Sequence, residues 1–171
     1  GLTIFGIRNS VGVATINNSD ITISPEVTAN AAIALTLHGI YNTQANATIS
    51  NTTKIEMNPL SANPAFVVGI SCNGIFNSGA TSTISNNSGI AIGTSTASGL
   101  ASTNGIINTG SGSSINGNSI TLDVTANLST TINGISNTSS SVTMNNNALD
   151  VELNIVSESG LAYGISNTST V

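Results

Sequence analysis

An apolar isoleucine and a polar asparagine recur together along the chain in the pattern Gly-Ile-Xaa-Asn. The isoleucine and the asparagine are two residues apart, so both face one side of a β-strand. The six copies are Gly6–Asn9, Gly39–Asn42, Gly74–Asn77, Gly105–Asn108, Gly134–Asn137 and Gly164–Asn167. Successive copies begin 33, 35, 31, 29 and 30 residues apart, a spacing typical of stacked repeat arrays.

A second pattern, Thr-Ile-Xaa-Asn with small variations, ends nine residues after the asparagine of the first pattern. Its copies begin at Thr15, Thr48, Thr83, Ser114 and Thr143. A short run then alternates apolar and polar residues, as in Ile21-Thr22-Ile23. These runs are rich in β-branched residues and bounded by Asn, Ser and Gly, and no stretch shows a sustained helical period. We therefore predict short strands and almost no helix.

Two arrangements of short strands compete. Asn73-Gly74, Asn104-Gly105 and Asn133-Gly134 fit the tight turns of an antiparallel sandwich. The residue before the glycine is different in the other three copies, so this turn requirement is not general. A parallel β-helix, in which each repeat is one coil, explains why the same residue type returns at the same phase. We predict an all-β fold, a parallel β-helix (β-solenoid) of five to six coils with ~30 residues per coil.

Stacked coils place equivalent residues directly above one another. The predicted inward file of isoleucines is Ile7, Ile40, Ile75, Ile106, Ile135 and Ile165. A first asparagine ladder is predicted at Asn9, Asn42, Asn77, Asn108, Asn137 and Asn167. A second is predicted at Asn18, Asn51, Asn86 and Asn146, and the fourth copy has Gly117 at this position. An amide both donates and accepts hydrogen bonds, so a buried row of asparagines satisfies itself.

The whole chain, residues 1–171, is predicted to be a single solenoid array. The repeat pattern starts and stops in mid-phase, and neither end has an amphipathic or charged closing segment. Open strand edges favour pairing with further strands. We therefore expect an uncapped segment of a longer repeat protein, or a filament subunit whose partner is a second copy stacked end to end.

Charged residues make up 5% of the chain, far below the ~25% of ordinary proteins. Only Arg8 and Lys54 are basic and the net charge is −5, which excludes a nucleic-acid partner because phosphates need clustered cations. No apolar run reaches the ~18–20 residues of a membrane-spanning helix. Low charge also permits disorder, but 39% hydrophobic residues at regular positions argue for an ordered core.

Candidate chemistry is sparse. Asp150 and Glu152 share one face of a predicted strand, with Asp123 one repeat earlier, and a solvated outer face explains them better than a cation site. His38 is the only histidine and has no ligand-spaced partner, and Cys72 has no neighbouring base to activate it. We therefore predict no catalytic, cofactor-binding or metal site and no enzymatic activity.

Two surface features remain open. The threonine column that begins at Thr15 forms a regular hydroxyl array similar to the ice-binding faces of some β-solenoid antifreeze proteins. Tyr41 and Phe76 share one phase in adjacent coils, which would suit a glycan-binding surface like that of a phage tailspike.

The composition and the Gly-Ile-Xaa-Asn corners resemble the β-helical passenger repeats of bacterial surface proteins, of the autotransporter and filamentous-haemagglutinin types. That resemblance covers the whole chain and implies secretion, an extracellular or cell-surface location, and an adhesive or stalk role. The expected function is a non-enzymatic structural or adhesive module that forms a stiff rod or filament. The expected partners are the chain itself and, as an alternative, a host or environmental glycan or surface.

Overall fold

The computed structural model describes residues 1–27, 33–61, 67–97, 100–126, 129–155 and 159–169, and these residues form strands and turns without a helix. In chain order the strands are β1 (Leu2–Asn9), β2 (Thr15–Asn17), β3 (Asp20–Ile23), β4 (Glu26–Val27), β5 (Ile33–Asn42), β6 (Thr48–Ser50), β7 (Lys54–Met57), β8 (Leu60–Ser61), β9 (Val67–Asn77), β10 (Thr83–Ser85), β11 (Ile90–Ala97), β12 (Leu100–Asn108), β13 (Ser114–Asn116), β14 (Ser119–Ala126), β15 (Thr130–Asn137), β16 (Thr143–Asn145), β17 (Ala148–Ile155) and β18 (Gly160–Asn167).

Three parallel sheets make up the fold, which confirms the predicted parallel β-helix. Sheet A contains the Gly-Ile-Xaa-Asn strands in the order β1-β5-β9-β12-β15-β18. Sheet B contains the Thr-Ile-Xaa strands β2, β6, β10, β13 and β16, and sheet C contains β3, β7, β11, β14 and β17, again stacked in chain order. The short strands β4 and β8 form a separate parallel pair. Each coil therefore visits sheets A, B and C in turn.

The predicted count of five to six coils is slightly too high. The solenoid has about 4 turns of ~31 residues each. Sheets B and C have five strands each and hence four inter-strand steps, so all three sheets are stacked together only over this length. The repeats counted in the sequence include the sixth strand of sheet A, which has no sheet B or C strand after it among the described residues.

The core is a set of aliphatic files, one behind each sheet. In sheet A the six motif isoleucines pair in register from Ile7 to Ile165. The four middle members have no solvent exposure, whereas Ile7 is half-buried and Ile165 is 48% exposed because they lie in the outermost strands. Sheet B adds the file that contains Ile49, and sheet C adds the file that contains Ile55. In the motif file of sheet A, isoleucine therefore stacks on isoleucine at every level.

The glycine of the Gly-Ile-Xaa-Asn motif is required by close packing between coils. A Cβ on Gly105 would lie 2.6 Å from the carbonyl oxygen of Gly134 and would collide with a methyl of Ile120 in sheet C. The Cβ position of the glycine and the side chain of the following isoleucine both point into the core. The alternation of inward and outward residues along the strands of sheet A is therefore interrupted at the Gly-Ile step. The residues before the glycine and after the isoleucine consequently share the outer face, as Phe5 and Arg8 do.

Candidate functional site

The first asparagine ladder runs through sheet A at the predicted residues. The side-chain Nδ2 of each asparagine donates to the Oδ1 of the next, from Asn9 through to Asn167, over 2.7, 2.7, 2.7, 2.8 and 2.9 Å. The second hydrogen on Nδ2 is used as well: Asn77 donates to the carbonyl of Gly79 at 3.0 Å, and Asn108 to that of Gly110 at 3.0 Å. Since Asn42, Asn77 and Asn108 have no solvent exposure, the ladder is a buried and saturated polar row.

The second predicted ladder is wrong in its residues. Asn18, Asn51, Asn86 and Asn146 are exposed and have φ angles of 48, 52, 54 and 53°. The turn at this corner needs the left-handed backbone conformation, which asparagine and glycine adopt at least cost. Gly117 occupies the same position with a φ of 65°, so the exchange of Asn for Gly in the sequence signals a turn requirement instead of a ladder.

The true second ladder lies one residue further along. Asn87 donates through Nδ2 to Oδ1 of Asn118 at 2.8 Å, and Asn118 donates to Asn147 at 2.9 Å. Each also bonds a sheet B carbonyl of the preceding coil, as Asn118 does with Ile84 at 3.1 Å. At the equivalent place in the second coil, the backbone N–H of Thr52 donates to Oδ1 of Asn87 at 3.0 Å. This ladder joins sheets B and C where the chain turns between them.

A third amide row was not predicted and lies on the outer side of sheet A. Asn133 donates to Asn104 at 2.8 Å, and Asn104 donates to Asn73 at 2.9 Å. Nδ2 of Asn73 lies 3.5 Å from Nδ1 of His38, which precedes it in the column. These are the asparagines whose Asn-Gly sequence fits a hairpin turn, but the structure places them within strands. All three are at most 8% exposed.

Aromatic side chains surround His38 on the same outer face. Phe5 stacks on His38 with ring centroids 5.3 Å apart, and Tyr41 stacks on Phe76 at 4.9 Å. The two stacks meet edge to face, for example at 5.0 Å between His38 and Tyr41. The guanidinium carbon of Arg8 lies 5.2 Å above the ring of Phe5. The structure thus joins the predicted pair Tyr41 and Phe76 to a larger cluster whose ring faces largely cover one another.

Burial shifts the acid–base behaviour of two side chains. Desolvation lowers the pKa of His38, because a charged imidazolium is disfavoured among the aromatic rings. Desolvation raises the pKa of the Cys72 thiol to about 12, and its side chain has no solvent exposure within the core of sheet A. The thiol therefore remains protonated and inaccessible at neutral pH.

The acidic residues singled out from the sequence lie on the exposed outer face of sheet C. Asp123 pairs in register with Glu152, and Asp150 lies in the next outward column, opposite Thr121. Among the described residues, no group of three or more His, Cys, Asp or Glu side chains could hold a metal ion. A shallow depression of about 200 Å³ lies nearby, where the small residues of β11 leave space between taller neighbours. Its lining comprises Glu56, Asn58, Ala91, Ile92, Gly93, Thr121 and Asp123.

Sheet B presents the most regular outer surface. Its outward positions form two columns in exact register, and every member is threonine, serine or asparagine. The first column is Thr15, Thr48, Thr83, Ser114 and Thr143, and the second is Asn17, Ser50, Ser85, Asn116 and Asn145. No charged residue belongs to these strands, in contrast to the outer face of sheet C.

No protein-family model matches the chain, and neither the curated proteins nor the solved structures give a significant match. In the part of the chain that the structure describes, no helix is long and apolar enough to cross a membrane. The arguments about function therefore rest on the chain's own geometry: three buried amide ladders, an aromatic cluster on sheet A and a charge-free face on sheet B.

Proposed function

We propose that this chain is a non-enzymatic structural and adhesive module, a stiff solenoid rod that works outside the cell at a cell surface. The observation that supports this role most directly is the ladder from Asn9 to Asn167. Its five side-chain hydrogen bonds cross every step of sheet A without a break. A continuous buried row of this kind ties each coil to the next independently of the main-chain bonds.

The stiffness of such a rod does not depend on charge or on disulfides. Each coil is bonded to its neighbours by three parallel sheets, by aliphatic files and by amide ladders. Amide–amide hydrogen bonds between neutral groups are screened little by salt, whereas surface ion pairs are weakened by it. The one ion pair found among the described residues, Lys54 with Glu56 at 2.6 Å, lies on the surface. The rod should therefore keep its form over a wide range of ionic strength.

An oxidising environment is compatible with this core. Cys72 is the single cysteine, it is fully buried, and its raised pKa keeps it in the unreactive thiol form. The fold therefore needs neither a reducing compartment nor disulfide formation. Together with the resemblance to bacterial passenger repeats, this supports an extracellular location.

The proposed partner is a further coil, supplied by the same polypeptide or by a second copy. A strand added beyond β18 in the register of the array would place its asparagine over Asn167 and its isoleucine over Ile165. At the opposite edge, Asn9 and Ile7 offer the same columns. Because both edges use one register, either source of the next coil would extend the same ladder.

Single-molecule pulling from the two termini tests the rod. We expect stepwise rupture, in which each event frees one coil of ~31 residues. At about 3.3–3.6 Å per residue, that is a gain of roughly 100 Å per step. A featureless extension at low force would contradict the structural role.

An attachment assay tests the adhesive part of the proposal. Bacteria that display the chain on a surface anchor should attach to host-cell monolayers or to abiotic surfaces under flow more than bacteria with the anchor alone. Equal attachment would remove the adhesive part of the proposal.

Ice binding is a second candidate, and the in-register, charge-free columns of sheet B favour it. A rigid array of hydroxyl groups and methyl groups can order water at a fixed spacing, here about 4.8 Å between coils. Thermal hysteresis should appear for the wild type and be lost in Thr83→Tyr, whereas the matched change Thr121→Tyr on sheet C should keep it. Absence of hysteresis in the wild type would exclude this role.

Glycan binding stays a prediction without a favourable observation. Sugars bind aromatic residues through exposed ring faces, and the faces of Phe5, Tyr41 and Phe76 are largely occupied by other rings or by Arg8. The cluster thus acts first as packing between the first three coils. A glycan-array screen of the wild type and of Tyr41→Ala would test for a glycan partner.

A further inference from the structure

The outer column of sheet A changes from aromatic to amide at His38. The register aligns Phe5, His38, Asn73, Asn104 and Asn133 as five successive members of one column. His38 stacks on Phe5 on one side and faces the amide of Asn73 on the other. It is therefore the member of the column through which the aromatic residues meet the amide row.

Hydrogen-bond direction along this column is fixed and uniform. Asn133 donates to Asn104, Asn104 donates to Asn73, and the amide nitrogen of Asn73 points at Nδ1 of His38 over 3.5 Å. An amide nitrogen can only donate, so Nδ1 must accept. This requires the neutral imidazole with its proton on Nε2. The row of hydrogen bonds thus ends at the lone pair of His38 Nδ1, which is available only while the imidazole is uncharged.

We propose that protonation of His38 reverses the hydrogen-bond direction of the Asn73–Asn104–Asn133 row, so that one imidazole controls amide orientation across three coils. In the charged ring Nδ1 carries a proton, and two donors would then face each other between His38 and Asn73. Asn73 removes this conflict by turning its Oδ1 towards the imidazolium. Its Nδ2 then faces the Nδ2 of Asn104, which must turn in the same way and pass the conflict on to Asn133.

The reversal can end at Asn133 because its other neighbour lies in an open strand. Asn133 pairs in register with Tyr163, which is 41% exposed. A reversed amide there can donate to solvent instead of to a buried group. Inside the row a single amide that turned alone would leave buried donors facing each other, which is costly because neither finds an acceptor. The three amides therefore change together or not at all.

The surroundings of His38 make the neutral state the resting one. From β1 it is faced by Phe5, with Arg8 on the ring of Phe5. From its own strand it is faced by Tyr41, and from β9 by Asn73 and Phe76. The ionisable groups of β3 and β7, namely Asp20, Lys54 and Glu56, are on the outer side of sheet C, across the core. Burial lowers the pKa of the ring, so the change is expected in mildly acidic solution.

Side-chain NMR on the uniformly ¹⁵N-labelled chain tests the proposal without any mutation. At neutral pH we expect the Nε2–H tautomer of His38. On acidification below pH 6.5, the side-chain amide signals of Asn104 and Asn133 should shift with the same midpoint as the imidazole. Asn108 and Asn137, on the first ladder in the same coils, are internal controls and should stay unchanged.

The variant His38→Asn is the matched control, because it continues the row with an amide that does not titrate in this range. In this variant the shifts of Asn104 and Asn133 should disappear while the fold is kept. The proposal is overturned if His38 titrates and only Asn73 responds, if Asn104 moves equally in His38→Asn, or if the imidazole remains neutral until the chain unfolds. The Nδ1–H tautomer at neutral pH would overturn it as well.

Discussion

Replacing Asn77 with Asp tests the buried ladder at its centre. The Nδ2 of Asn77 donates to Oδ1 of Asn108 at 2.7 Å and to the carbonyl of Gly79 at 3.0 Å, and its own Oδ1 accepts from Asn42. An ionised aspartate keeps only the acceptor role. Oδ1 of Asn108 then loses its donor, whereas the carbonyl of Gly79 still accepts from the hydroxyl of Ser82 at 3.0 Å. A buried acceptor without a donor costs about 1–3 kcal/mol, so Asn77→Asp should lower the free energy of unfolding by at least that amount at pH 7.

The same change has a predictable dependence on pH. Burial raises the pKa of a carboxyl group in this site above the value of about 3.9 that it has in the unfolded chain. The folded variant therefore binds a proton more tightly than the unfolded one, and the protonated group regains one donor. As the pH falls from 7 towards 4, the stability difference between wild type and variant should shrink.

Urea denaturation at the two pH values measures both effects. The matched control is Asn86→Asp, which lies on the same coil but is exposed, in a left-handed turn that aspartate tolerates. We expect this control to change the unfolding free energy by less than about 0.5 kcal/mol. If Asn77→Asp were as stable as Asn86→Asp, the ladder would contribute nothing to stability and the reasoning would be refuted.

Three further predictions concern a buried hydroxyl, a close backbone approach and the titration of His38. Thr103→Val should leave thermal stability unchanged or raise it by about 1 kcal/mol, because the buried Oγ1 of Thr103 has no hydrogen-bond partner; a lower melting temperature would contradict this. Gly105→Ala should lower the free energy of unfolding by about 1–3 kcal/mol or more, because the added Cβ meets main-chain and isoleucine atoms. The added Cβ of the control Gly93→Ala closely approaches the movable side chain of Asn58 instead, so its loss of stability in the same melting assay should be small. Equal losses would refute the close-approach argument. The pKa of His38 is lower in the folded chain than in the unfolded chain, so acid protonates the unfolded chain first. The free energy of unfolding, measured by urea titration, should therefore fall as the pH drops below 6.5. The variant His38→Asn should lack this part of the pH dependence.

The features that could be predicted from the sequence are those fixed by stacking. A residue that returns at one phase of every coil must lie above its equivalents, and this gave the isoleucine file and the ladder that contains Asn77. The second ladder was misplaced by one residue because position and chemistry alone do not separate two asparagine roles. Asn86 is needed for its backbone conformation, whereas the adjacent Asn87 is needed for its amide. The presence of Gly117 at the phase of Asn86 was the available signal.

The third row was missed for a different reason. A strict two-residue alternation assigns one face to every second residue, but the Gly-Ile step of sheet A places two successive positions inside. Asn104 therefore lies on the outer side only three residues before the outward Ile107, and its amide belongs to the third row. Nothing in the local sequence distinguishes this bend from a hairpin turn, because the cause is the approach of sheet C behind the glycine.

The motif residues keep their register from coil to coil, and this has a consequence for how the length of the molecule can change. Excising one whole repeat, for example the segment from 78 to 108, would bring Thr109 directly after Asn77, in the same setting that it has after Asn108. The residues of each aliphatic file and each asparagine ladder would then stack as before, with one member fewer. The length of the array can thus change by one coil of ~31 residues at a time, while the contacts between neighbouring coils stay the same.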